Sequence, residues 1–228
     1  MVGRSAVNFA LKDGSTLSYF FNGPKYVEIA WKPGSSDDCI TYGPTEFAKE
    51  WLSLKETGFD RIDAILPIPG HDNRAYFFCG DKYARIEYAP GSSKEKIIGG
   101  VRSIHHNWST IKKANFDQVD AAMIVPGTTN QAFIFCRNEY IHVSFKEGTA
   151  NSDELLDGPH MTRERWNRLG WQTIDTIIPH PTSSEQAYVF SGKEAGRVAL
   201  VPGGGPYFET GPSEAATYWP SLKKAGFY

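Results

Sequence analysis

The chain repeats itself four times. The aromatic segments Tyr19-Phe20-Phe21, Tyr76-Phe77-Phe78, Phe133-Ile134-Phe135 and Tyr188-Val189-Phe190 recur at spacings of 57, 57 and 55 residues. Asn8 stands 11 residues before Tyr19, and Asp63, Asp120 and Asp175 each stand 13 before their own aromatic. A Trp closes the later part of every unit: Trp51, Trp108, Trp166 and Trp219. A period of this length is the signature of a radial or solenoid architecture, in which each unit buries its apolar face only against its neighbours. The 228 residues are therefore expected to form one closed assembly and not two unrelated domains.

The second unit shows the plan. Asp63-Ala64-Ile65-Leu66-Pro67 is a short apolar run, followed by a turn-rich stretch, Pro69-Gly70-His71-Asp72-Asn73. Ala75-Tyr76-Phe77-Phe78-Cys79 reads as a buried strand, Gly80-Asp81-Lys82 has hairpin chemistry, and Tyr83–Tyr88 reads as a third strand. Pro90-Gly91-Ser92-Ser93 turns the chain, and Lys96-Ile97-Ile98 is a short fourth strand ending at Gly99-Gly100. Residues 102–113 carry Ile104, Trp108 and Ile111 at helical spacing. Fourth strands elsewhere are expected to end at Gly43, Gly158 and Gly211. Helices are expected to end at Gly58-Phe59, Asn115-Phe116, Gly170-Trp171 and Gly226-Phe227, where the Gly supplies a left-handed conformation and the aromatic after it packs back.

Four strands and a short helix describe one blade of a β-propeller. The expected fold is all-β: a four-bladed β-propeller of four-stranded blades, each ending in a short helix. Its blades cover about residues 7–62, 63–119, 120–174 and 175–228. Pro67, Pro126 and Pro179 suit an innermost edge facing a central channel, where a missing backbone donor costs little. The fourth unit is complete, and no Cys can staple blade one to blade four, so ring closure is expected to rest on noncovalent packing. That arrangement leaves room for opening or dimerisation.

Bulk composition excludes several classes. A net charge of −2 provides no global field for nucleic acid or an anionic membrane. No apolar run approaches the roughly 20 residues a membrane span needs. Residues 1–13 hold no apolar h-region, so no secretory signal is expected and the cytosol is the expected compartment. The three Cys cannot all pair, which also fits a reducing compartment. Cys79 and Cys136 occupy one slot in neighbouring units, readable as a redox or metal pair or as small half-buried strand-end residues. No nucleophile elbow, phosphate loop or Cys-x-x-Cys is present, and Gly203-Gly204-Gly205 lacks a strand–turn–helix frame, so no enzyme is expected.

Asp63-Ala64, Ala75-Tyr76-Phe77-Phe78 and Tyr83-Ala84-Arg85-Ile86, with Asp120-Ala121 and Ala132-Phe133 in the next unit, resemble the hemopexin repeat over essentially the whole chain. Four units, no inter-blade disulfide and Ala-Pro-Gly-Ser-Ser after the third strand resemble, more narrowly, the hemopexin-fold albumins of legume seeds (the pea albumin-2 type). The resemblance implies a dimer-forming cytosolic seed protein with cations (Ca²⁺ or Na⁺) in the channel. It also implies that spermine binds, with haem a second ligand linked to oligomeric state. It further implies that main-chain carbonyls of two rings hold the cations: Asn8, Asp63, Asp120 and Asp175 in the first, Ser18, Ala75, Ala132 and Ala187 in the second. Departures are Asn8 and Ser18 within those rings, Ala195 where Tyr83 and Tyr140 sit, and an irregular Val201-Pro202-Gly203-Gly204-Gly205. The last two bear on blade-four surfaces and not on the channel.

Fourfold pseudo-symmetry brings one residue per blade to the axis, so three carboxylates and an amide are expected to converge. Like charges so placed raise one another's pKa unless a cation relieves them, and hard oxygen ligands suit Ca²⁺ or Na⁺. An acidic pore also matches a linear polyamine, with Asp63, Asp120 and Asp175 as its anionic partners. The alternative is that each Asp accepts hydrogen bonds from neighbouring backbone N–H groups and ties blades together; both roles can coexist when the carbonyl binds the metal. A haem ligand would come from His71, His105, His106, His142, His160 or His180, of which His71 and His180 fall between first and second strands. His105 and His106 point about 100° apart on a helix, a poor chelate. The competing classes are a storage or protein-interaction propeller with no specific small ligand, and a hydrolase using Asp63 or Asp120.

Overall fold

The computed structural model describes residues 3–10, 15–35, 37–88, 95–200 and 206–228. Each repeat becomes one antiparallel sheet whose strands lie in chain order. Blade one holds β1 (Arg4–Ala10), β2 (Thr16–Asn22), β3 (Lys25–Trp31) and β4 (Cys39–Glu46). Blade two holds β5 (Ala64–Pro67), β6 (Arg74–Cys79), β7 (Lys82–Glu87) and β8 (Lys96–Ser103). Blade three holds β9 (Ala121–Ile124), β10 (Gln131–Cys136), β11 (Glu139–Ser144) and β12 (Glu154–Met161). Blade four holds β13 (Thr176–Pro179), β14 (Gln186–Ser191), β15 (Glu194–Ala199) and β16 (Tyr207–Glu214). The first strands β1, β5, β9 and β13 touch one another in a ring, each leaving one edge toward the axis. The result is a closed four-bladed propeller, as the repeat requires.

The core lies between blades. Both faces of the second strands are apolar, so the side chains of one sheet feed the packing against both neighbours. Four buried clusters follow, each joining consecutive blades, with the last returning from blade four to blade one. The residue that ends or follows the third strand packs toward the closing Trp of the preceding blade. Tyr88 meets Trp51 at 6.1 Å, Phe145 meets Trp108 at 5.4 Å, and Trp31 meets Trp219 at 4.7 Å. Leu200 takes that place beside Trp166. The seam that closes the ring thus carries two indoles, and burying an aromatic there stabilises by about 2–3 kcal/mol.

Closure has a polar part as well. The Trp31 indole N–H donates to the Ser18 hydroxyl (2.6 Å), which donates to Asn8 Oδ1 (2.7 Å). Asn8 Nδ2 in turn donates to the Pro179 carbonyl of blade four (2.6 Å). Arg4 adds a hydrogen bond to the Gly192 carbonyl (2.7 Å) and lies 4.7 Å from the Tyr228 ring. The Thr176 hydroxyl donates back to the Arg4 carbonyl (3.0 Å). No disulfide joins the described residues; Cys39, Cys79 and Cys136 are free thiols.

Two expectations are corrected. The fourth strands do not end at their glycines. β4, β8, β12 and β16 run through them with a break in register against the third strand, a β-bulge. Gly43, Gly158 and Gly211 sit at φ 83, 97 and 94, where a Cβ would lie 2.8–3.0 Å from a third-strand carbonyl oxygen. Glycine is demanded by close approach as well as by φ. The helix of each unit is two short turns broken at the Trp: α1 (Phe47–Glu50) and α2 (Leu52–Thr57), α3 (Ile104–Asn107) and α4 (Ser109–Lys113). Blade three has α5 (Thr162–Arg165) and a 3₁₀ turn over Asn167–Leu169; blade four has α6 (Ala215–Tyr218) and α7 (Pro220–Lys224). These turns do end as expected, with left-handed Gly58, Gly170 and Gly226 before buried Phe59, Trp171 and Phe227; Asn115, before buried Phe116, is left-handed as well. The turn at Pro90–Ser93 and the irregular segment 201–205 lie outside the described residues. Among the described residues no helix is long and apolar enough to cross a membrane.

Candidate channel site

Strand register decides which residues share a ring. Ala64, Ala121 and Thr176 pair with Phe78, Phe135 and Phe190, and in blade one Ser5 pairs with Phe21. The residue before each is Asp63, Asp120, Asp175 and, in blade one, Arg4. Asn8 lies four residues further on, opposite Ser18, in the slot of Pro67, Ile124 and Pro179. The assignment of Asn8 to the first ring is therefore corrected: the fourth member is a guanidinium. β1 is seven residues long where β5, β9 and β13 have four, so counting back from the aromatic misplaces the slot. The second ring aligns as expected, with Ser18, Ala75, Ala132 and Ala187 all fully buried on their second strands.

Each ring-one carboxylate has a local task. Asp63 accepts the Gly80 N–H (2.7 Å) and Arg61 Nε (2.9 Å). Asp120 accepts the Arg137 N–H and Gln118 Nε2 (2.5 Å), and Asp175 accepts the Gly192 N–H (2.5 Å). Those three N–H groups belong to the left-handed residue of the second-to-third strand hairpin, at φ 54, 54 and 58. In blade one Gly23, at φ 55, occupies the same place and donates to the Gly3 carbonyl (2.8 Å), because Arg4 cannot accept. The carboxylates thus accept backbone N–H groups as the alternative expects, but they pin each hairpin to the innermost strand of its own blade and do not tie blades together.

Asp120 also senses the other two. Burial pushes the Asp120 carboxyl up; the Arg137 N–H and Gln118 pull it down, and the charges of Asp63 and Asp175 push it up again. Three carboxylates at the starts of the inner strands, with Arg61 paired to Asp63 and Arg4 in the fourth slot, make an acidic ring. Among the described residues no three His, Cys, Asp or Glu side chains converge to hold a metal. Both oxygens of Asp63 and of Asp120 are already engaged, so these side chains do not fit as first ligands. Metal held by main-chain carbonyls would leave these side-chain bonds intact.

The imidazoles are mostly committed elsewhere. His71 pairs with Glu147 (3.2 Å), His105 meets the Phe116 carbonyl (2.6 Å), His142 meets Gln131 (2.9 Å) and His160 meets Asp157 (2.7 Å). His180 stacks on Tyr188 at 5.7 Å. Burial pushes the Cys136 thiol up to about 11 and raises Cys79 as well, which favours the strand-end reading of both over a redox pair.

Sequence reasoning missed a second ring of carboxylates, in the loops between third and fourth strands. Asp153 accepts the Ser109 N–H (2.9 Å) and Thr110 N–H (2.5 Å), capping α4 of the preceding blade. Glu95 bonds the Leu52 backbone at α2, and Asp38 accepts the Ser221 N–H (2.9 Å) at α7. Each stitches a blade to the one before it. These loops differ in length, so no fixed spacing exposes the pattern.

No family model matches the chain. It is 28% identical over 206 residues to Albumin-2 of Lathyrus sativus, covering 90% of each protein, and 26% identical over 210 residues to Albumin-2 of Pisum sativum, covering 90% and 89%. A plant albumin from Cicer arietinum, whose crystal structure is described as showing hemagglutination, superposes with TM-score 0.84 at 25% identity over 98% and 97% of the chains. A Cicer arietinum lectin described with two metal-binding sites gives 0.83 at 26% over 96% of both. The hemopexin-fold protein CP4 of cow pea gives 0.83 at 24% over 96% of both. Repeat, ring of four sheets and full-length similarity together identify a four-bladed propeller of the hemopexin fold that resembles the Albumin-2 seed proteins of legumes.

Proposed function

We propose that the protein is a non-catalytic, cytosolic seed-albumin-type propeller that takes hard cations and spermine at the acidic end of its central channel. The observation that carries this reading is the placement of Asp63, Asp120 and Asp175 in one register slot at the starts of inner strands that ring the axis. A cation or an ammonium group placed there relieves three carboxylates at once. Because the carboxylates also hold their hairpins, the ring is rigid before any ligand arrives, which lowers the ordering cost of binding. Arg4 in the fourth slot makes the ring lopsided, favouring an approach along the blade-three side opposite it. The metal sites described for the chickpea lectin support the cation half of the reading. Ca²⁺ or Na⁺ fits oxygen donors better than a soft metal does.

Haem is the second ligand in this proposal, coupled to a monomer–dimer equilibrium. Hemin titration followed by its Soret band and by sedimentation velocity tests it: a saturable shift with a change in mass is expected, and an unshifted spectrum rejects it. The channel is tested by isothermal titration of spermine into cation-stripped protein, with and without Ca²⁺. Saturable heat is expected in the native protein, weakened in Asp120→Asn and lost in Asp63→Asn/Asp120→Asn/Asp175→Asn. Equal affinity in the triple variant would remove the channel from the function.

A further inference from the structure

The four seams between blades are not equivalent. Between blades two and three, Tyr83 and Arg102 face each other across the third and fourth strands, and the space beside them holds about 20 Å³. Tyr83 fills it by packing against Tyr76 (5.7 Å) and Trp108 (6.4 Å). In the closing seam, between blades four and one, register puts Ala195 and Ser213 in those two places. This seam holds a cleft of about 410 Å³ lined by neither of them, within the roughly 300–1,000 Å³ typical of small-molecule pockets.

The chemistry of this cleft is mixed. Trp31, Tyr188, Tyr218 and Trp219 form aromatic walls, of which the two tyrosines are only half-buried. Arg197 lines one side, tied to Glu209 (3.2 Å), and Asp38 lines the other. The hydroxyls of Thr210 and Thr217 complete a rim rich in donors and acceptors.

Asp38 is the telling residue. Its counterpart Asp153 uses both carboxylate oxygens, one on the Ser109 N–H and one on the Thr110 N–H. At the closing seam the first of those helix positions is Pro220, which has no N–H. Asp38 Oδ2 takes the Ser221 N–H, and Oδ1 is buried with no hydrogen-bond partner among the described residues. A buried, unpaired carboxylate oxygen is costly to leave so, and a donor supplied by a ligand recovers that cost.

We infer that the cleft between blades four and one is a saccharide-binding site. The C–H faces of a pyranose pack on Tyr188 and Tyr218, its hydroxyls donate to Asp38, and its ring and hydroxyl oxygens accept from Arg197. Aromatic walls alone would suit any apolar ligand. The orphaned acceptor, the guanidinium and the threonine hydroxyls select a neutral, polyhydroxylated one. The site is separate from the channel, so it stands or falls independently of cation and polyamine binding.

The test is saturation-transfer NMR, with titration by intrinsic Trp fluorescence, using D-galactose, D-glucose, N-acetyl-D-glucosamine and lactose as probes. At least one is expected to bind saturably. Arg197→Met is expected to weaken it about tenfold or more, as loss of a charged hydrogen bond does. Pro220→Ser restores the N–H that Ser109 supplies in blade two, so it satisfies Asp38 internally; it is expected to weaken binding severalfold with an unchanged or raised melting temperature. If Arg197→Met fails to fold, Pro220→Ser decides alone. No binding of any probe, or undiminished binding in Pro220→Ser, overturns the inference.

Discussion

Ser18→Ala is the sharpest probe of how the ring closes. Ala75, Ala132 and Ala187 occupy the same slot in the other blades, so alanine fits without steric conflict or a cavity. The substitution nevertheless removes the central hydroxyl of the relay from Trp31 to Asn8. Ser18 is fully buried and Trp31 nearly so. The Trp31 indole N–H then loses its acceptor (2.6 Å) and Asn8 Oδ1 its donor (2.7 Å). An unpaired buried polar group costs about 1–3 kcal/mol. Asn8 is half-buried and recovers part of its share from water, so the expected loss is about 2–4 kcal/mol. For a domain of this size each kcal/mol moves the melting temperature by about 2–4 °C. Urea unfolding followed by fluorescence and by far-UV circular dichroism measures it, with coincident curves required before a single free energy is quoted. Trp31→Phe and the double variant complete a cycle: once Trp31 no longer donates, Ser18→Ala should cost distinctly less. A loss below about 0.5 kcal/mol in Ser18→Ala, the level of an ordinary surface change, would show that the relay does not secure the seam.

Other outcomes follow from the same geometry. Gly158→Ala forces a Cβ to 2.8 Å from the Tyr140 carbonyl at φ 97 and should destabilise by about 1–3 kcal/mol or more, read from a melt. At pH 8 a disulfide reagent should modify exposed Cys39 quickly, whereas Cys136, buried and pushed up to about 11, should react only after denaturation. Asp120 has a folded-state pKa above its ordinary 3.8, so it contributes stability below that value which is lost as pH rises through the raised one. Asp120→Asn should flatten that part of the stability profile, and an unchanged slope would contradict the stated burial and charge effects.

The repeat made the architecture legible, because aromatic runs at near-equal spacing can bury themselves only against neighbouring copies. Second-strand residues such as Ala75 and Ala132 were legible for the same reason, since the strand that carries the period also fixes their place. Arg4 was not. The first strand of blade one is longer, and an amide at Asn8 mimicked the acidic slot that register assigns to Arg4. Asp38, Glu95 and Asp153 were hidden in loops of unequal length, where partners are set by blade-to-blade geometry. The consequence of Pro220 was equally hidden. Ala195 stood out as a departure from the tyrosines of the other blades, but only the comparison of two seams shows that Pro220 leaves Asp38 an unpaired acceptor.

The most direct test of the channel reading is crystallographic. Crystals grown with spermine and Ca²⁺ should show both on the pseudo-fourfold axis, with cations on inner-strand carbonyl oxygens and an ammonium group facing Asp63, Asp120 and Asp175. Density for either ligand only at a blade seam or on an outer strand, with the axis free of both, would contradict it.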